Sequence, residues 1–174
     1  VPMIYVSHSI SEVLAIADKV LVLQGGEFKN SLSSKELLVG ADLISSDYWF
    51  GFENIKSAKV VSEIDADQLV EIKIGGEVFN VSGEQVLLND QVNVSVGSNE
   101  IILSKKPTYD TSVQNIIRGK IISISEFESF VLVCVNAGEN FLSRISLAAA
   151  RKLGLNVGDE IFMMIKSNSI KVLS

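Results

Sequence analysis

Redox, metal and membrane chemistry find little support in this sequence of 174 residues. Cysteine occurs once, at Cys134, and histidine once, at His8. An internal disulfide is therefore impossible, and there is no His/Cys cluster with the spacing of a zinc site. Cys134 lies in the apolar run Phe130-Val-Leu-Val-Cys-Val135, where a small buried core residue is expected and not a nucleophile. Aromatic residues make up only 7%, too few for a row of base-stacking rings. No apolar run approaches the ~20 residues that a membrane-spanning helix needs, and no secretory signal opens the chain. A soluble, cytosolic protein is expected. Positive charge is also scarce, with 15 Lys plus Arg against 21 acids and a formal charge of −6. Residues 1–50 hold 3 basic and 6 acidic groups, and residues 51–174 hold 12 and 15. Neither part is a polybasic surface for nucleic acid or lipid. Any anion must be captured by a local site.

What is present is apolar residue, at 47%, which is enough for a packed core. Residues 3–7 (Met-Ile-Tyr-Val-Ser) form a continuous apolar run, the pattern of a buried parallel strand. Ser9 with Glu12 three places on is a capping box, and Val13, Leu14, Ile16 and Ala17 follow at helical spacing. Val20–Leu23 is a second strand, and Gly25-Gly26 turns the chain into Glu27-Phe28-Lys29. A short helix fits Ser33–Leu38. Strand, helix and strand look like the closing piece of an α/β sheet, which residues 1–50 alone cannot cover on both faces. Val1 leads directly into the first strand, so the chain is expected to begin inside a larger fold.

From about Ile55 helical periodicity fades, and short strands separated by Gly, Asn and Asp turns indicate small barrels. Strands are expected at Lys59–Ile64, Leu69–Ile74, Glu77–Val81, Gln91–Val96 and Ile101–Ser104. After the break at Pro107 they resume at Gly119–Ile124, Val131–Val135, Phe141–Ile145, Glu160–Ile165 and Ile170–Val172. One helix interrupts the second set, Ser146–Leu153, with Ser146 as N-cap and Gly154 as the C′ glycine. The two sets read as one unit repeated. Lys59-Val-Val-Ser62 aligns with Lys120-Ile-Ile-Ser123 at an offset of 61, and Ile101 aligns with Ile170 at an offset of 69. The inserted helix accounts for the difference. About five strands per unit suggest an OB-type barrel. The expected fold is mainly β: an α/β remnant at 1–50, a first OB-like unit at 55–107 and a second at 110–174.

Tyr5-Val-Ser-His8-Ser-x-x-Glu12, with Ala17-Asp18-Lys19-Val20 and Leu23-x-x-Gly26, resembles the switch-histidine region that ends an ABC-transporter ATPase domain. With Thr111-Ser112-Val-Gln-Asn115 and Ile165-Lys166-Ser167, the whole chain resembles the C-terminal half of the molybdate-import ABC ATPase subunit. Its last part looks like a molbindin-type TOBE domain, an oxyanion-binding OB fold. The chain has no Gly-x-x-x-x-Gly-Lys-Ser/Thr loop, no ABC signature segment and no Walker B carboxylate ahead of His8. ATP hydrolysis needs a phosphate cradle, a magnesium ligand and a positioned water, so this chain alone is not expected to be an ATPase. ATP and magnesium belong to the full-length parent. There, the resemblance implies, His8 touches the γ-phosphate as the catalytic switch histidine; otherwise it only caps the next helix.

A tetrahedral dianion such as molybdate or tungstate offers only acceptors, so its site needs N–H groups, hydroxyls and a cation. Sub-micromolar binding takes roughly 8 kcal/mol, or about four or five charge-assisted hydrogen bonds at ~1.5–3 kcal/mol each. By resemblance the site combines Ser112, Gln114, Asn115, Ser146, Lys166 and Ser167, drawn from both subunits of a homodimer. Lys166 occupies the position where the first repeat has Gly97, so only the second unit is expected to bind an anion; it is otherwise an ordinary lysine at a strand end. Ser146 sits at a helix N-terminus, which favours anions and which it also simply caps. Ser112 and Asn115 otherwise only shape a turn after Pro107. Gln114 stands where arginine is expected in related domains, which removes a positive charge. Arg144 is a second cation or a surface residue. The run Tyr48-Trp49-Phe50-Gly51-Phe52 is read as packing at the junction.

The resemblance implies a regulatory oxyanion-binding and dimerisation module, cytoplasmic and peripheral to the inner membrane. Through the parent ATPase it would meet membrane-embedded permease subunits and restrain import when molybdate is bound. The alternative is a structural dimerisation domain without a functional anion site. A nucleic-acid-binding OB fold is disfavoured by the acidic balance and the few aromatics.

Overall fold

The computed structural model describes residues 3–7, 16–24, 26–33, 53–82 and 86–173. Contacts divide the chain into two units, residues 1–51 with the last two residues, and Phe52–Val172. In the first unit, β1 (Lys19–Gln24) and β2 (Glu27–Ser33) pair antiparallel, and Gly26 supplies a positive φ of 81° in the turn. The expected strand Val20–Leu23 and its turn are present, and β2 runs on to Ser33, where a helix was expected to start. Residues 3–7, expected as a buried strand, have no regular structure and expose Met3, Ile4 and Val6. An apolar parallel strand is buried only by neighbouring strands, and among the described residues none pairs with it. His8, the capping box, residues 34–38 and the aromatic run at 48–52 lie outside the described residues.

The second unit is mainly β. Its strands are β3 (Glu53–Val60), β4 (Leu69–Ile74), β5 (Glu77–Ser82), β6 (Gln91–Gly97), β7 (Ile102–Ser104), β8 (Asn115–Glu126), β9 (Val131–Asn136), β10 (Asn140–Ile145), β11 (Glu160–Ile165) and β12 (Lys171–Leu173). An α-helix, α1 (Leu147–Leu153), precedes β11. Its ends follow the sequence: Ser146 Oγ accepts from Ala149 N, and Gly154 at φ +53° donates to the carbonyls of Ala150 and Arg151. Alternation sets the faces. In β4, Val70, Ile72 and Ile74 are buried while Glu71 and Lys73 are exposed. The continuous apolar run of β9 is buried on every residue from Val131 to Val135, as suits a strand with neighbours on both sides and cover on both faces.

Two five-stranded curled sheets of OB type result, in the orders β12-β6-β3-β4-β5 and β10-β9-β8-β11-β7. They are not the two sequence repeats kept apart. β7 ends the first set of strands but pairs antiparallel with β11 of the second, and β12 ends the second set but lies beside β6 of the first. Each repeat therefore lends its last strand to the other's sheet. The cores merge accordingly: Val60, Ile72 and Phe79 pack in one cluster with Val133, Phe141 and Ile161, all essentially inaccessible. The rings of Phe79 and Phe141 approach to 5.7 Å between centroids.

Paired residues of the two repeats meet across this junction. Asn54 Nδ2 donates to the carbonyls of Val96 (3.1 Å) and Leu142 (2.9 Å), while its Oδ1 accepts from Leu142 N at 2.6 Å. Asn115, 61 residues on, repeats the pattern. Its Nδ2 donates to Ile165 O (3.2 Å) and Asn80 O (2.9 Å), and its Oδ1 accepts from Asn80 N at 2.6 Å. Each asparagine clasps an edge strand of the opposite sheet. The hairpin tips also touch, for a Cβ on Gly138 would lie 2.0 Å from the carbonyl oxygen of Gly75. These clasps explain where strand ends depart from expectation. β3 starts at Glu53 and stops at Val60, not Lys59–Ile64, and β8 starts at Asn115, not Gly119. A buried polar residue breaks the apolar alternation that marks a strand in sequence, yet its side chain is fully hydrogen-bonded.

Candidate functional site

The start of β8 lies antiparallel to the end of β11, with Asn115 opposite Ile165. The residues just beyond, Gln114 on one side and Lys166 with Ser167 on the other, are thereby brought together. After Lys166 the chain turns through a 3-10 helix, Ser167–Ser169. The Ser167 residue is buried, and its backbone N–H donates to Gln114 Oε1 at 3.1 Å. The atom of Gln114 that meets this N–H must be the amide oxygen, since a donor cannot pair with the NH2 group. Lys166 itself is exposed and reaches no carboxylate within ion-pair distance among the described residues.

Lys166 lines a cleft of about 400 Å³ with Glu53, Gly97, Glu100, Asn168 and Lys171. The cleft lies where equivalent segments of the two repeats meet, since Gly97 and Lys166, like Glu100 and Ser169, are 69 residues apart. Ser169 Oγ donates to Glu100 Oε2 at 3.0 Å across it. Two ammonium groups and two carboxylates share this space, so it is electrostatically mixed and not a purely cationic pocket. Glu53 and Glu100 were missed by sequence reasoning. The repeat offset held the signal, because Glu53 is the counterpart of Gln114 in the first unit.

Four of the expected site residues are therefore neighbours: Gln114, Asn115, Lys166 and Ser167. Their roles differ. Both amide hydrogens of Asn115 are spent on Asn80 and Ile165, so this side chain has no donor for an anion and acts as the clasp that sets the strand ends. Ser112 is exposed, two residues before Gln114, in a turn where Thr111 Oγ1 accepts from Val113 N at 3.2 Å. Ser146 is exposed at the start of α1, its oxygen accepting from Ala149 N at 3.1 Å. No hydrogen bond joins Ser146 to the Gln114–Ser167 cluster among the described residues. Arg144, half-buried, lays its guanidinium 4.4 Å from the ring centroid of the buried Phe130, a cation–π contact. His8 lies outside the described residues. There is no group of three or more His, Cys, Asp or Glu side chains that could hold a metal ion among the described residues.

This cluster falls within a recognised family segment. Residues 111–172 match the TOBE domain family. The TOBE segment thus contains Ser112, Gln114, Asn115, Ser146, Lys166 and Ser167, and excludes Glu53 and Glu100. Over 98% of its length the chain is 27% identical to the molybdenum import ATP-binding protein ModC of Escherichia coli O6:H1 (strain CFT073), of which it covers 49%. It is 28% identical to the protein of the same name from Albidiferax ferrireducens, again over 98% of this chain and 46% of the relative. The chain spans about half the length of the curated relatives it matches, their C-terminal half. Among solved structures, it shares its fold with the cytoplasmic molybdate-binding protein ModG in a form with molybdate bound. The TM-score is 0.59 at 20% identity, covering 68% of this chain and 94% of that one.

Proposed function

We propose that this chain is the regulatory, oxyanion-binding and dimerising portion of a molybdate or tungstate import ATPase subunit, in which bound oxyanion restrains transport. In this reading residues 1–50 end the ATPase domain and carry its switch histidine, His8, while 55–107 and 110–174 are the OB-like units. The ATP and magnesium sites lie in the rest of the parent subunit, which docks on membrane-embedded permeases from the cytoplasmic side. The observation that carries the reading is the meeting of Lys166 and the Ser167 N–H at one strand end inside the TOBE segment, in a chain that resembles ModC throughout. A lone ammonium and one N–H supply too little for tight binding. The remaining donors are assigned to Ser112, Ser146 and Ser167 hydroxyls, contributed by two copies of the chain in a homodimer.

The alternative, a structural dimerisation module with no working anion site, draws on the carboxylates of Glu53 and Glu100 beside Lys166. Calorimetric titration of the 174-residue chain with molybdate, tungstate and sulfate separates the two. The proposal expects saturable binding of molybdate or tungstate, weakened about 10- to 30-fold in Lys166→Ala. Equal affinity in parent and variant removes Lys166 from the site. No heat from any of the three anions leaves the structural module as the function.

A further inference from the structure

We infer that Gln114 is an internal competitor for the oxyanion and not one of its ligands, an inference that rests on the anion site proposed above. Ser167 is the residue where chain direction changes after β11, and its N–H is directed to a side chain instead of a backbone carbonyl. A tetrahedral oxyanion at Lys166 and Ser167 would need this N–H as a donor. The amide oxygen of Gln114 already occupies it at 3.1 Å. One N–H cannot serve two acceptors at full strength, so the anion displaces Gln114 on entry. The register holds the competitor in place, because Asn115 is tied to Ile165 and Asn80, which fixes the backbone one residue away. Gln114 is itself exposed, so its side chain has room to swing out into water when displaced. The competitor therefore sets the threshold concentration at which the site fills.

The inference makes a prediction of sign. If Gln114 were a ligand through its NH2 group, shortening it would weaken binding. As a competitor, its removal strengthens binding. In the 174-residue chain, Gln114→Ala is expected to bind molybdate about 3- to 10-fold more tightly than the parent, the loss of one partly exposed hydrogen bond. Gln114→Arg, which has no acceptor and adds a cation, binds tighter still. Gln114→Glu puts a carboxylate on the same N–H and loses more than about tenfold. Hydrogen exchange gives a ligand-free readout: the Ser167 amide should exchange faster in Gln114→Ala than in the parent. Gln114→Ala binding as the parent does, or more weakly, overturns the inference, and so does unchanged Ser167 exchange. If the parent binds and Lys166→Ala does not, while Gln114→Ala matches the parent, the site stands and only the competitor role falls. If the parent is silent but Gln114→Ala binds, the role is supported; binding by Gln114→Arg alone reports only the added cation and overturns it. Silence in all four proteins overturns both readings.

Discussion

Replacing Asn115 with alanine tests the clasp that joins the two sheets. The substitution strips partners from three backbone groups, Asn80 N–H, Asn80 C=O and Ile165 C=O. An unsatisfied buried polar group costs about 1–3 kcal/mol. The bond to Ile165 is fully buried, so its carbonyl carries the full penalty, whereas the two groups of Asn80 are partly buried and regain some hydration. Together the loss is expected at about 3–5 kcal/mol, a large share of the ~5–15 kcal/mol that a typical fold has. For a chain of this size that lowers the melting temperature by roughly 10 °C. Asn54→Ala should cost a similar amount, since Asn54 makes the same three bonds to Val96 and Leu142. Asn140→Ala is the control, because Asn140 is exposed and its Oδ1 accepts from the neighbouring side chain of Asn136; it should stay within about 0.5 kcal/mol of the parent. Urea denaturation followed by far-UV circular dichroism measures all three. Were Asn115→Ala to lose less than about 1 kcal/mol, or no more than Asn140→Ala, water would be replacing the clasp and the argument from burial would fail.

Two further predictions concern the close approach of two hairpin tips and the buried thiol. Gly138→Ala places a Cβ 2.0 Å from Gly75 O at a φ of +78°, whereas Gly154→Ala meets open space at φ +53°. The first should cost ~3 kcal/mol or more and the second about 1 kcal/mol in urea denaturation; equal losses would mean that the hairpin tips part freely. Burial pushes the Cys134 thiol above its ordinary range, against smaller opposing effects from Lys56 and a hydrogen bond with Ser123. The neutral form thus stabilises the fold at pH below the free thiol's range, and that contribution fades as pH rises through the raised native value. Iodoacetamide at pH 8 should label native protein roughly 100-fold more slowly than protein in urea; comparable rates would show an accessible thiolate.

Local physical chemistry in the sequence determined a good part of this protein. Apolar alternation and Gly/Asn turns place β4, β5, β6 and β9 to β11 within a residue or so of their ends, because period-2 patterning reports the buried face directly. Ser146 and Gly154 bound α1 at both ends, since caps act within one turn. The repeat offset also paired Gly97 with Lys166. Tertiary structure decided what depends on partners distant in sequence. Alternation says which side of a strand is buried but not which strand lies beside it, so the exchange of β7 and β12 between sheets was invisible. For the same reason Asn115 read as a turn or ligand residue until strands 35 and 50 residues away claimed its amide. Residues 3–7 show the converse, an apolar run that is exposed because burial requires neighbours and not merely the right composition. The contact of Gln114 with the Ser167 N–H joins residues 53 apart in sequence. Only the antiparallel register of β8 on β11 brings them within hydrogen-bond reach.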